Sequence, residues 1–440
     1  MRRTSRNDVH KYLIGTAMTL SLLLGGGTEA GLWSDAVLQI CILFAVMPVL
    51  MTSKGAPIDR SALIVVGLVM LAPLVQLLPL PASLVEALRI EPFKQPDGSS
   101  VTWLTISTGV GSTLLSFSYV AVLGLLFLAI MRMPGAFVHA LLPFMLLGVA
   151  CNAAFVFVQY SASSRQVIDG VLPFSIYAGL FANRNHLASL LYLTLPFLVY
   201  FATFKNRGLA AGIAIVLTLL ILLAAGSRAG AIIGAAAVIS AIVFLRAQSR
   251  ASVAAVLGTL VVLGVYAMGT WTIIEQKELD VVFGRWEFLR TTLEGIRENW
   301  LLGVGYGTFP RAYQVYEEAN MIFGSFVNHA HNEYAELVFE GGIVAAVLIV
   351  AYCLLLVRQG ALIRFNQFQK AAFLGIVFLL IHSVVDYPLR TMALAVTFVW
   401  LNAVIFHADF RVQAGMKKRR ISVRHNGQTV AMPIAIRETK

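Results

Sequence analysis

The sequence places arginines at a few positions between long apolar segments. Arg228 lies in the five-residue junction GSRAG (226–230), and Arg285 opens a segment rich in aromatic residues. A guanidinium stays charged at any accessible pH, and its forked donors match phosphate oxygens, so two or three arginines can hold a pyrophosphate. The small residues of the junction permit close backbone approach, and a helix starting there would direct its positive end at an anion. The junction therefore predicts an anion site, the alternative being an arginine that reaches out to lipid headgroups.

Histidines form a second candidate group in the run NHAHNE (328–333). One interpretation is a metal site, but in a helix His329 would align with Glu333 while His331 points elsewhere, and no third ligand is evident. The other interpretation is that one histidine accepts the proton of a hydroxyl, because imidazole titrates near neutrality. By contrast, His139 and His407 are isolated and typical of histidines that pack at a membrane edge.

The composition determines what kind of protein carries these residues. The chain has 440 residues, of which 58% are hydrophobic and 12% charged, whereas a soluble domain has about 25% charged residues. An ordinary soluble enzyme is therefore excluded. The three cysteines, Cys41, Cys151 and Cys353, lie in apolar runs, which argues against a disulfide framework or a cysteine-based metal site. The composition predicts an all-α polytopic membrane protein.

A helix that crosses a bilayer needs about 20 mostly apolar residues, because its backbone polar groups must be satisfied within the segment. About twelve runs qualify. A cleaved signal peptide is the alternative interpretation of the first run, which glycines interrupt and basic residues precede. The predicted spans lie near 12–28, 35–51, 61–80, 113–132, 136–160, 187–204, 208–226, 229–246, 251–274, 337–357, 370–386 and 391–408.

The distribution of basic residues predicts the orientation. If both termini are cytoplasmic, the cytoplasmic segments hold most of the 33 Lys and Arg residues but few of the 22 Asp and Glu residues, as the positive-inside rule requires. The net charge of +11 then reflects topology and does not indicate nucleic-acid binding. The basic tail, 409–440, is expected to contact anionic lipid on the cytoplasmic side. We interpret residues 1–440 as a single transmembrane domain.

The longest outer connection, 275–336, is expected to be functional because structureless loops of this length are uncommon in compact proteins. Within it, apolar residues recur every three or four positions from Trp286 to Trp300, which predicts an amphipathic helix. This helix would lie along the membrane-water boundary on the outer side or, alternatively, cover the helical bundle. The opposite face of this helix carries Arg290, and Arg311 follows in the same loop. The glycines of GVGYG (303–307) do not follow a strand, so they predict a turn and not a nucleotide fold.

Charged residues avoid the centres of all the predicted spans, unlike those of ion-coupled carriers. Polar residues gather instead at the outer ends of the spans. This arrangement favours a site at the outer interface, where an amphiphile with its tail in lipid and its head in water can enter sideways. The residues in question are Arg184, His186, Arg228, His329, His331, Glu333, Glu336, Glu340, His382, Asp386 and Arg390.

Four motifs, in this order, resemble the O-antigen ligase and polymerase superfamily from about residue 170 to 345. They are FANRNHLA (181–188), GSRAG (226–230), GRWEFLR (284–290) with ENWLLGVGYGTF (298–309), and HAHNEYAELVFEGGIV (329–344). The resemblance implies transfer of a glycan from an undecaprenyl pyrophosphate carrier to an acceptor hydroxyl at the periplasmic face of the bacterial inner membrane, without a metal or other cofactor. The acceptor would be a lipid A core sugar, another glycan chain or a protein side chain.

The resemblance also implies roles for particular residues. Arg228 and Arg285 match the family arginines that contact the diphosphate, and His331 matches the histidine that activates the acceptor, with Glu333 or a carbonyl fixing its tautomer. Arg184 stands where many relatives have proline, although its position permits a phosphate contact. The remaining substrate-binding candidates in the outer loop are His329, Glu333, Arg290 and Arg311.

Two other classes of function compete with a transferase. A polysaccharide exporter or flippase would place charges deep in the spans and show inverted internal symmetry, neither of which is apparent. A sensor or assembly scaffold would explain the aromatic residues of the loop but not the arginines at helix ends. The sequence does not separate ligase from polymerase, because both use the same donor and leaving group.

Overall fold

The computed structural model describes residues 6–53, 58–88, 102–162, 177–205, 207–245, 264, 279–318, 326–363 and 366–410. Most of these residues lie in α-helices. The helices are α1 (Arg6–Leu24), α2 (Trp33–Thr52), α3 (Arg60–Gln76), α4 (Ala82–Ala87), α5 (Val110–Arg132), α6 (Gly135–His139), α7 (Leu142–Ala162), α8 (Arg184–Phe204), α9 (Gly208–Ala224), α10 (Arg228–Phe244), α11 (Leu279–Asn299), α12 (Phe309–Tyr313), α13 (Glu333–Leu362), α14 (Gln367–His382) and α15 (Met392–Phe406).

Two short elements complete the described fold. Strands β1 (Pro79–Pro81) and β2 (Trp103–Thr105) pair antiparallel, with Leu80 opposite Leu104. A 3₁₀ helix, Pro388–Arg390, lies between α14 and α15. The all-α prediction is therefore correct apart from this small strand pair, which follows the end of α3.

Helix α8 lies at the centre of the helical bundle. It packs against α9, α10 and α14, and its residues from His186 to Tyr200 are buried. Large side chains such as Tyr192, Phe197 and Trp400 are completely buried around it. A second group of helices forms where α1 packs against α2, α7 and α15. This packing holds the beginning of α8 in a fixed position relative to its neighbours.

Several helices have the length and composition of membrane spans. Five apolar helices are long enough to cross a bilayer, namely α2, α5, the α6–α7 segment, α8 and α13, and five shorter apolar helices accompany them in the described part of the chain. Their outward side chains include large apolar groups such as Phe44, Phe157 and Val357, which suits contact with lipid. Apart from residue 264, the predicted span 251–274 lies outside the described residues, as does most of the tail 409–440, so the count of about twelve and the domain boundaries stay predictions.

The predicted amphipathic helix is present as α11, but most of its apolar stripe faces away from the protein. Trp286, Leu293 and Trp300 are 64%, 50% and 51% exposed. The side packed on α13 includes Gly295, where a side chain would collide with the Phe339 ring. An outward stripe of Trp and Leu is the arrangement that a helix at a membrane boundary requires.

The predicted turn at GVGYG (303–307) is confirmed, and it docks on a break in α13. Gly342 has φ 60° and ψ −146°, which is outside helical geometry and open almost only to glycine. The carbonyl of Glu340, just before the break, accepts hydrogen bonds from Gly305 N and from the Gln76 side chain. Gln76 also accepts a bond from Tyr306 N. The end of α3, the glycine turn and α13 are thereby joined.

Candidate functional site

Asp386 is the centre of a buried polar pocket. It lies in the short segment 383–391 between α14 and α15, and its side chain is completely buried. One carboxylate oxygen accepts a hydrogen bond from Tyr387 N at 2.9 Å, and the other accepts one from Asn185 Nδ2 at 2.5 Å. Asn185 is in the first turn of α8, so the carboxylate joins the beginning of that helix to segment 383–391.

Three cationic or titratable side chains surround the same carboxylate. His186 Nε2 lies 3.6 Å and His331 Nδ1 lies 3.7 Å from its Oδ1 atom, and Arg285 Nη2 lies 4.0 Å from Oδ2. Burial by itself raises the pKa of Asp386, but contacts and positive charge from His186 and His331 outweigh it and hold that pKa well below its usual range. Asp386 is therefore an anion that holds His331 and Arg285 together.

Arg285 is also fixed by the backbone. Its Nη1 donates to the carbonyl of Val385 at 3.3 Å, and its side chain is one-third exposed. One side of the guanidinium thus faces the Asp386 pocket, while part of it reaches solvent. Such a group can meet an anionic ligand without breaking its own support.

The first turns of α8 and α10 lie side by side next to this pocket. A side chain at Gly230 of α10 would come within 2.4 Å of Ala188 of α8, so the two helices touch through their smallest residues. Asn183 and Ser227 cap the helices by accepting bonds from Asn185 N at 2.8 Å and Gly230 N at 3.1 Å. Two helix N-termini, each with a positive end, therefore point at one region.

Arg184 and Arg228 are the first residues of these two helices. The Arg184 Nη1 atom lies 3.4 Å from the position of a Cβ atom at Gly226, so its guanidinium rests on the junction that contains Arg228. A chain of contacts then runs from this junction through Arg184 and its neighbour Asn185 to Asp386 and Arg285. The arginines singled out in the sequence at 184, 228 and 285 thus lie along one connected region.

A second buried network lies beside the first and contains His329, Glu336, Glu340 and Arg390. Arg390 Nη2 contacts Glu340 at 2.9 Å and Glu336 at 3.3 Å. His329 Nδ1 lies 2.8 Å from Glu336, and its Nε2 lies 2.9 Å from the carbonyl of Thr28. Because both partners are acceptors, the ring satisfies them only by donating from both nitrogens, as the protonated imidazolium.

The electrostatics of this network agree with its geometry. Burial alone lowers the pKa of His329, but the charge and hydrogen bond of Glu336 outweigh it, and the net shift is upward. Burial likewise opposes the charge of Arg390, but Glu336 and Glu340 raise its pKa above the usual value. Glu340 also accepts a bond from Gly307 N at 2.8 Å, so the network ties the glycine turn to segment 383–391.

Glu333 does not play the part that the sequence suggested. Its carboxylate accepts bonds from Ser383 Oγ at 3.0 Å and Leu389 N at 3.3 Å, and the carboxylate beside His331 is Asp386. The reason is that α13 begins only at Glu333, after Asn332 as its cap. His329 and His331 precede the helix, so the alignment of His329 with Glu333 that a helix would give does not occur.

The other two loop arginines are more peripheral. Arg290 forms ion pairs with Glu287 at 2.7 Å, Glu318 at 2.9 Å and Glu294 at 3.8 Å on the surface of α11. Hydrogen bonds to Glu287 and Glu318 raise its pKa. Arg311 is exposed on α12. Neither contacts Asp386 through a described ion pair.

Sequence reasoning placed Asp386, His186 and Arg390 among the polar groups at span ends but did not choose them as site residues. The signal that identifies Asp386 is an acidic residue shortly after an apolar helix, since an unpaired carboxylate there is costly. Asn185 carried no such signal, because amide side chains are common at helix starts. Within the described ranges, no three His, Cys, Asp or Glu side chains are arranged to hold a metal ion.

Taken together, several apolar helices and a buried polar cluster near their ends indicate a multi-pass helical membrane protein. Comparison with known proteins shows which family part of the chain is similar to. A family model described as O-Antigen ligase matches residues 213–350, a segment that includes Arg228, Arg285 and His331. Residues 213–350 are thus similar to the O-antigen ligase family, in agreement with the resemblance seen in the motifs, and this similarity suggests a membrane glycosyltransferase of the ligase or polymerase type. No curated protein gave a match.

Proposed function

We propose that the protein transfers a glycan from an undecaprenyl pyrophosphate carrier to an acceptor hydroxyl at the periplasmic face of the inner membrane. The acceptor is a growing glycan or a lipid A core sugar, and both chain termini are cytoplasmic. The family match supports the class of reaction, and the bias of basic residues toward one set of loops supports the orientation.

One observation carries the proposal: Arg285 and His331 meet the same buried carboxylate, Asp386, at 4.0 and 3.7 Å. This pairing puts a cation for the leaving diphosphate and a proton acceptor for the attacking hydroxyl within one pocket. The adjoining helix N-termini, with Arg184 and Arg228, add positive potential beside it.

The proposed reaction balances as a single displacement. The acceptor oxygen attacks the anomeric carbon, and the bond from that carbon to the pyrophosphate oxygen breaks, leaving the electron pair on the phosphate. His331 takes the proton of the acceptor hydroxyl, and Asp386 stabilises the resulting imidazolium. Arg228 and Arg285 neutralise the charge that grows on the bridging oxygen, so the step needs no metal.

The remaining predicted contacts have secondary parts in this proposal. Arg184 contacts a phosphate oxygen from the same junction as Arg228. His329 and Glu333 support the pocket through Glu336 and Ser383. Arg290 and Arg311 stay predicted contacts for the extended glycan, because both lie in the outer loop and away from Asp386.

Deletion of the gene, with analysis of surface and carrier-linked glycans, tests this proposal in cells. A polymerase defect leaves single repeats on the surface, and a ligase defect leaves full-length polymer on the carrier. A transporter would instead leave carrier-linked glycan shielded from a glycosidase added to the periplasm. Unchanged surface glycans in the deletion strain would overturn the proposal.

Complementation then tests the residues. We expect Arg228→Ala, Arg285→Ala and His331→Ala to be produced at normal levels but not to restore glycan transfer. Arg358→Ala is the matched control, because Arg358 is exposed at the far end of α13 and bonds only to Ser61 among the hydrogen bonds described for it. Normal transfer by both Arg228→Ala and Arg285→Ala would remove the proposed mechanism.

A biochemical test asks whether the reaction needs a metal ion. Purified protein should transfer glycan at the same rate in excess chelator as in magnesium, since arginines neutralise the leaving group. Complete inhibition by the chelator, reversed by added divalent cation, would favour a metal-assisted reaction.

A further inference from the structure

His331 has a backbone conformation that its surroundings must enforce. Its φ is 50°, in the left-handed region that costs a non-glycine residue about 1–3 kcal/mol and persists only where neighbours fix it. It precedes α13 by two residues, so the hydrogen-bond ladder of that helix does not hold it. The contacts of its side chain must therefore hold the backbone in this conformation.

Two aromatic rings from different parts of the chain hold the His331 imidazole. Phe288 of α11 stacks on it, with ring centroids 5.8 Å apart and planes at 25°. Tyr387 meets it edge-on, with centroids 5.0 Å apart and planes at 73°. Both arrangements are among those that aromatic rings favour. With the ring held from two sides, its Nδ1 atom is left 3.7 Å from Asp386.

The two rings are themselves firmly placed. Phe288 packs on a small buried cluster that includes Phe309 and Phe339 and meets Tyr313 edge-on at 6.3 Å. Tyr387 is 4% exposed and directly follows Asp386, and its ring also contacts the rings of His329 and His186 at 4.1 and 4.9 Å. Neither ring can shift without disturbing the packing around it.

Phe288 also links the two halves of the pocket. It lies three residues after Arg285 on α11, and residues with this spacing share one face of a helix. When α11 docks, the same face delivers Arg285 to Asp386 and Phe288 to His331. The distance between cation and proton acceptor is then set by one helical turn and not by two independent side chains.

We propose that Phe288 and Tyr387 are positioning residues that clamp the His331 imidazole in its catalytic orientation, and that Phe288 couples this orientation to the docking of Arg285. The inference rests on the proposed function, since it assumes that His331 accepts the acceptor proton. The clamp does not touch the donor, so its loss affects the chemical step more than donor binding.

Steady-state kinetics of purified variants test the clamp, with carrier-linked glycan extracted from the deletion strain as donor. Phe288→Leu keeps an apolar side chain but removes the stacked ring, and we expect kcat to fall by about 10- to 100-fold, with KM for the donor within about twofold of wild type, because small misplacements of a catalytic group cost this much. Phe288→Tyr restores the ring and should return kcat to within about threefold of wild type. Trp286→Leu is the matched control, since Trp286 is on the same helix but faces outward, and it should keep the wild-type kcat.

The second ring gives an independent check. Tyr387→Phe keeps the ring and should keep most of kcat, whereas Tyr387→Leu should lower it as Phe288→Leu does. The thermal unfolding temperature of each variant identifies any that merely fail to fold. A folded Phe288→Leu or Tyr387→Leu variant with wild-type kcat, or a Phe288→Leu variant whose defect Phe288→Tyr shares, would overturn the clamp. Absence of transfer by wild-type protein, or full activity of His331→Ala, would instead overturn the proposed function.

Discussion

Replacing Asp386 by Asn tests the centre of the pocket with the smallest possible change in shape. At 4.0 Å from Arg285, a unit charge pair is worth about 4 kcal/mol at an effective dielectric constant of about 20. Because the Arg285 side chain is 33% exposed, solvent screens it, and we take about half of that value. The amide also turns one donor toward Asn185 Nδ2, itself a donor, at a cost of about 1–3 kcal/mol. The expected loss of stability is about 3–5 kcal/mol.

Activity should suffer far more than stability. Without the carboxylate, His331 loses the anion that orients it and Arg285 loses its buried partner, so we expect glycan transfer to fall by about 10³-fold. The unfolding temperature should fall by only about 5–10 °C, using the scaling for domains of a few hundred residues. The measurements are transfer by purified protein at a temperature well below unfolding, and thermal unfolding in the same detergent.

Asp409→Asn is the matched control for this experiment. Asp409 undergoes the same chemical change but is 42% exposed and accepts a bond from Gly135 N on another part of the bundle. It should retain wild-type transfer. If Asp386→Asn also transferred glycan at the wild-type rate, the carboxylate would have no part in the site, and the argument that joins Arg285 to His331 through it would be wrong.

Three further predictions concern the surroundings of the pocket. Gly230→Val should separate the first turns of α8 and α10 and abolish transfer, because its Cβ would meet Ala188 at 2.4 Å. Gly67→Ala is its control, because no atom lies within 4 Å of the added Cβ. This control should leave transfer unchanged and raise the unfolding temperature slightly. Since the folded-state pKa of His329 is raised above its ordinary value of 6.5, its pair with Glu336 stabilises the fold below that pH and loses this contribution as pH rises through the higher value. The unfolding temperature of wild type should therefore fall as the pH rises above about 6.5, and a fall of equal size in His329→Gln would contradict this. Gln76→Ala removes the side-chain hydrogen bonds to the carbonyls of Leu302 and Glu340 and from Tyr306 N, so limited proteolysis should cleave the loop 275–336 faster than in wild type. An unchanged cleavage rate would show that the turn docks without Gln76.

The helical character and the one-sided distribution of polar residues could be predicted from the sequence. Apolar runs of about 20 residues have few structural solutions in a bilayer, so helices such as α5 and α8 appear close to their expected positions. The same argument predicts that His186, Asp386 and Arg390 gather at one end of the bundle, since none is tolerated at its centre.

Which polar side chains pair with one another at that end of the bundle could not be predicted. Whether His329 pairs with Glu333 or Glu336 depends on where α13 begins, and helix ends are the least certain part of any sequence interpretation. Likewise, the stripe from Trp286 to Trp300 predicts an amphipathic helix but does not indicate which face the protein takes. That choice depends on Gly295 meeting Phe339, a contact between residues far apart in the chain.

The helix break at Gly342 divides α13 into two parts with different surroundings. The first part, Glu333–Gly341, carries the three buried carboxylates of the helix and contacts the glycine turn, while the part after Gly342 presents mainly aliphatic side chains to its surroundings. The position of the buried carboxylates therefore does not depend on the length and tilt of the helix after Gly342. Residues after Gly342 can change to match bilayers of different thickness without moving the polar side chains that precede the break.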